Sequence, residues 1–205
     1  MSGFLRIMLP VSGALLLLLW GLSLVLPGIA RENGVLESLQ AILLAVALLA
    51  LLARSPQWRR GERRWPGFFI GVALLSILLR ELEVDRFDLP GWLIYMGDGD
   101  GRDLLLGLLW LAVLVAAARN WRHLGSWARQ GLHSHWGWTL LLGGCLYLLG
   151  SFFDQKIFPL DKPSQLFWEE AMETVGALYI GVGVFRWLAA ERRLAGEPSD
   201  PRTEE

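Results

Sequence analysis

The sequence predicts an all-α fold, a polytopic transmembrane helix bundle of about six spans with both termini cytoplasmic, and three observations carry that prediction. Of the 205 residues, 54% are apolar and 19% are charged, where a soluble domain averages about 45–50% and 25%. The apolar residues form uninterrupted blocks such as 7–26 and 35–53, long enough to cross a hydrocarbon core of ~30 Å. No window alternates with the period of two that a membrane barrel strand shows, so helices are left to satisfy the backbone in lipid. A soluble enzyme is thereby excluded. The single cysteine, Cys145, can form no internal disulfide and lacks the spaced partners of a thiolate metal site.

Charges, prolines and glycines bound the spans at 7–27, 35–53, 67–83, 104–118, 136–153 and 168–190, within one domain over 1–190. The first follows Arg6 and precedes Gly28-Ile29-Ala30, which also fits a signal peptide with a small-residue cleavage site. Its run of about 20 apolar residues exceeds the usual 7–15 of such a region, which favours a retained helix. The second span opens on Glu37 and closes before Arg54. The third and fourth are short, at about 15–17 residues near the lower limit for a span. In the last two, Gly143, Gly144, Gly150, Gly176, Ala177, Gly181 and Gly183 let helices approach closely. The tail 191–205, with Pro198, Pro201 and mixed charges, reads as a disordered cytoplasmic segment.

Orientation follows from Lys and Arg, which stay on the cytoplasmic side. The connections 54–65 and 119–135, the start and the tail together hold 13 basic residues, against 6 on the opposite face. Trp58, Trp65, Trp121, Trp127, Trp136, Trp138 and Trp187 flank the basic face as an aromatic belt. Trp121, Leu124, Ala128 and Leu132 recur at helical spacing, an interfacial helix whose Arg122 and Arg129 meet anionic lipid. His123, His133 and His135 lie in the same stretch without metal-ligand spacing. On the outer side, 89–96 is apolar but too short to cross, and either lies in the interface or folds over the outer end as a lid.

The same orientation places fourteen of the 20 acidic residues on the outer face against six basic ones, a formal −8 there and +7 inside. Several of these acids fall within helix ends: Glu37, Glu81, Asp154, Glu169, Glu170 and Glu173, with Arg80 beside them. A charge at mid-membrane costs roughly 2.5–3.5 kcal/mol on insertion scales, so these groups should face the bundle interior and find partners. Glu169 and Glu173 are four apart, as are Glu81 and Asp85, and each pair can share a helix face. One outward acidic cavity built from Glu37, Glu81, Asp154, Glu170 and Glu173, with Arg80 as counter-charge, is the expected arrangement.

Three chemistries compete for it. Carboxylates suit a hard cation, with Ca²⁺, Mg²⁺ or Mn²⁺ as candidate ions or a cationic group in their place. Two carboxylates could serve as acid and base on a lipid headgroup or lipid-linked sugar. The acids could instead tie the helices together as an ion-pair network of a structural or assembly subunit. Zinc hydrolysis loses support because no His lies on this side. Gly97-Asp98-Gly99-Asp100-Gly101 suggests a calcium loop, but Arg102 and Leu109 stand where further ligands belong, so a turn leading into the fourth span is expected.

Glu32-x4-Glu37, Leu79-Arg80-Glu81-Leu82-Glu83, Phe153-Asp154-x-Lys156 and Glu169-Glu170-x-x-Glu173 give the chain a resemblance to a group of small uncharacterised bacterial polytopic inner-membrane proteins. The resemblance implies an inner-membrane location and brings no activity with it. The membrane proteases whose helix carries Glu-Glu-x-x-x-Arg do not fit, because Thr174 stands in the Arg position. The bilayer and its anionic lipids are the expected partners. Nothing in the sequence points to nucleic acid.

Overall fold

The structure, a computed structural model, describes residues 2–26, 29, 34–54, 64–82, 84, 88–154 and 160–194. Among them the chain is all-helical: α1 (Ser2–Val25), α2 (Val35–Arg54), α3 (Arg64–Glu81), α4 (Gly91–Gly97), α5 (Gly99–Arg119), α6 (Trp121–His133), α7 (His135–Asp154) and α8 (Lys162–Leu194). Four stretches, Arg6–Val25, Val35–Arg54, Gly99–Arg119 and His135–Phe153, are long and apolar enough to cross a membrane. The chain is thus built as a membrane protein. Their outer faces agree with this, since Leu17, Leu24, Leu49, Leu104, Leu111 and Leu114 are exposed, as lipid contact requires.

α3 and α8 also match expected spans but mix charge with apolar sequence. α8 has 33 residues, about 50 Å at 1.5 Å per residue, and carries acids near its start and arginines near its end. It tolerates the acids because it is the central helix, packed against α7, α2 and α1, while Arg186, Arg192 and Arg193 stay exposed. Ala171, Ala177, Val184 and Trp187 of α8 are almost fully buried, and so are Leu44, Ala47 and Leu51 of α2 and Leu74 of α3. α3 lies on α2 and α5 on α3, while α6 bridges α5 and α7.

The α7–α8 contact is the most extensive in the bundle, and glycine makes it possible. A Cβ on Gly143 would stand 2.8 Å from the Gly176 carbonyl oxygen, and one on Gly176 would stand 2.8 Å from the Tyr147 amide nitrogen. Gly183 meets Leu140 in the same way, at 2.7 Å. These contacts make α7 and α8 antiparallel. Gly144, by contrast, has open space beside it.

Cross-helix contacts fix the other directions. Ser76 of α3 accepts from Trp110 Nε1 of α5 at 3.0 Å. The Tyr179 hydroxyl of α8 donates to the Met8 carbonyl of α1 at 3.2 Å. Arg186, near the end of α8, lies over the Phe4 ring at 5.6 Å, and Phe4 in turn packs against His135 at 4.8 Å. The starts of α1 and α7 and the end of α8 therefore gather at one end of the bundle. The start of α2, the end of α3 and the start of α8 gather at the other.

Some expectations need correcting. Trp136 and Trp187 are not belt residues: they are 8% and 2% exposed and belong to the core, because α6 and α7 close over the end of α8. Trp58 lies outside the described residues, as does the side chain of Trp65. The expected turn before the fourth span is shorter than the Asp/Gly stretch. Gly99, at φ +57°, turns the chain between α4 and α5, and residues 100–103 are already helical. The 89–96 segment forms the short α4, which packs on α5. α8 begins at Lys162 and runs to Leu194, past the expected span at both ends, while 195–205 of the expected tail lie outside the described residues.

Candidate functional site

The acids of the α2, α3 and α8 ends do converge. Glu81 closes α3, and Glu170 and Glu173 lie in the early turns of α8, where i and i+3 positions share a face. Glu170 and Glu173 are buried, at 8% and 2% exposed. Glu170 interacts electrostatically with Glu173, Glu37 and Glu81, and Glu81 with Glu37. Asp154 ends α7, but its side chain lies outside the described residues, as do Glu32, Glu83, Asp85 and Lys156.

Arg80 is the counter-charge. Its Nη2 pairs with Glu173 Oε1, its Nε lies 3.4 Å from Glu81 Oε1, and its Nη1 donates to Ser151 Oγ at 2.8 Å. The guanidinium carbon stands 4.9 Å from the centre of the Tyr147 ring, a cation held over an aromatic face. The Tyr147 hydroxyl donates to Glu81 Oε1, and Ser151 Oγ lies 3.1 Å from Glu173 Oε1. Three helices, α3, α7 and α8, are joined by these contacts.

A second arrangement joins α2 to α8. Gln40 Nε2 donates to Glu170 Oε2 at 2.9 Å and lies 3.2 Å from both the Glu170 carbonyl oxygen and Thr174 Oγ1. Thr174 Oγ1 donates to that same carbonyl at 2.7 Å. Three acceptors around one nitrogen fix the amide orientation, since the reverse would set oxygen against oxygen. Gln40 is wholly buried, and its Oε1 has no hydrogen-bond partner. A buried acceptor left unmade costs about 1–3 kcal/mol.

Glu37, Glu81, Glu170, Glu173 and Arg80 thus share one end of the bundle, while Gln40, Tyr147, Ser151 and Thr174 went unforeseen. Gln40 could have been found as a polar residue inside an otherwise apolar span. Among the described residues no three His, Cys, Asp or Glu side chains are arranged to hold a metal ion. The acids turn instead to Arg80, Tyr147 and Gln40. His123, His133 and His135 are exposed at the far end, on α6 and at the start of α7. Comparison with family models, with curated proteins and with solved structures finds no match.

Proposed function

We propose that this protein binds or handles a cationic group with N–H donors at the acidic end of its bundle. One observation carries the reading: Glu170 is a buried carboxylate whose hydrogen-bonding side-chain partner is the neutral Gln40 amide, and that amide also holds a buried acceptor with no donor. An ammonium-type group would answer both needs, supplying charge to Glu170 and a hydrogen to Gln40 Oε1. Arg80 serves as the resident model of such a ligand, a cation held by carboxylates and an aromatic face. A divalent ion is less well suited, since it would meet the Arg80 charge at short range.

The bundle is read here as six spans, α1, α2, α3, α5, α7 and α8, in a bacterial inner membrane with both termini cytoplasmic. The arginines Arg119, Arg122, Arg129, Arg186, Arg192 and Arg193 lie towards the end opposite the acids, which supports that orientation. The acidic site then opens outward.

Thermal unfolding of the detergent-purified protein tests the site with ethylammonium, tetramethylammonium, Ca²⁺, Mg²⁺ and Mn²⁺. A ligand at 100 times its Kd adds about 2.7 kcal/mol. The expected result is a rise in Tm with ethylammonium that is absent with tetramethylammonium, which has no N–H, and lost in Glu170→Gln and Gln40→Leu. A rise with a divalent ion alone would replace the proposal with a metal site. A second reading, a purely structural network, has its own support, because each of the Arg80, Tyr147 and Gln40 contacts with an acid partner on another helix crosses between helices. No shift with any cation, together with destabilised variants, would establish it.

A further inference from the structure

An apolar groove of about 570 Å³ runs between α3 and α7, and its walls carry no charged side chain. That size falls among small-molecule sites, at roughly 300–1,000 Å³. Ile77 lines it on one wall and Gly144, Cys145 and Leu148 on the other, while Trp127 and Leu132 of α6 close one end. Exposed Leu141, Cys145 and Leu148 mark its open side on the lipid face of α7. Along α7 the groove extends from Trp136 to Leu148, about 18 Å at 1.5 Å per residue. Half of a ~30 Å hydrocarbon core is about 15 Å, so the groove is as deep as one leaflet.

Its two ends differ in kind. Arg80 and Glu81 stand one turn beyond Ile77 and Ser151 one turn beyond Leu148, and the Arg80–Ser151 and Glu81–Tyr147 contacts make a polar ceiling that an alkyl chain does not cross. At the other end Trp127, Ala128 and Leu132 of α6 line the groove, and Arg122 and Arg129 of the same helix are exposed, so the element that closes this end carries basic side chains long enough to meet a headgroup. We infer that this groove holds one acyl chain of an anionic phospholipid, drawn from the leaflet at the α6 end, with its headgroup on the arginines of α6.

Native mass spectrometry of the full chain, extracted from vesicles of equal phosphatidylglycerol and phosphatidylcholine, tests this. The wild type is expected to retain one phospholipid per chain, enriched about five-fold in phosphatidylglycerol. Gly144→Phe points a side chain into the groove where nothing lies within 4 Å, and it should lose that lipid; Leu148→Trp, on the exposed edge, serves as the second blocking variant if Gly144→Phe does not fold. The Arg122→Gln/Arg129→Gln protein should keep one lipid in the proportions of the vesicle. A lipid-free wild type, a folded blocking variant that still retains the lipid, or an unchanged headgroup preference in the arginine variant would each overturn the inference. So would a dimer cross-linked through Cys145, which would make a second copy the occupant.

Discussion

Arg80 and Glu173 are unequal partners. The Arg80 side chain is 45% exposed and that of Glu173 is 3% exposed, so losing the arginine strands the more deeply buried charge. Arg80→Met should therefore destabilise the protein by more than Glu173→Gln, with the first near about 3 kcal/mol. The double substitution should recover part of that loss, and thermal melts of the three variants form the double-mutant cycle that measures it. Gln40→Leu strands Glu170 but also removes the unmade Gln40 acceptor, so it should lower the Tm in detergent by less than Arg80→Met does. The charged members of this network were legible in the sequence, because Arg80, Glu81, Glu170 and Glu173 interrupt apolar blocks and a charge at such depth needs a partner. Tyr147 and Ser151 were not, since an uncharged polar residue breaks no span and its direction depends on how α7 rotates against α3.

Helices are where sequence and structure agree best. Each of the six expected blocks falls on a helix, and Trp121, Leu124, Ala128 and Leu132 announced α6. Helix ends were less legible: α5 starts five residues early, at Gly99 rather than 104, because its first turns are Gly and Asp, which hydropathy assigns to a loop. Likewise no pattern of residue types ranks one glycine over another. The structure ranks Gly143 against Gly144, as the first faces the Gly176 carbonyl and the second faces open space. Gly143→Ala should then cost about 1–3 kcal/mol through forced separation of α7 and α8, whereas Gly144→Ala should leave the stability within about 0.5 kcal/mol of wild type. Equal effects of the two would contradict the packing described here.

At the level of the whole molecule, charge is segregated by end, and topology can be read out directly. A reporter fused after Leu194 should be active only in its cytoplasmic form, and one inserted in the α3–α4 connection only in its exported form. Opposite results would invert the bundle and turn the acids inward. α8 adds a constraint on how such a molecule is made. It is synthesised after α1 to α7, it carries Glu169, Glu170 and Glu173 early and arginines late, and its walls are α1, α2 and α7. Lipid is a poor solvent for it and the earlier helices are a good one, so its entry into the bilayer awaits a seat assembled from them. Damage to that seat, at Gln40 or Gly143 for example, would be felt during biosynthesis as an undelivered α8 and a chain marked for degradation, before any ligand is met.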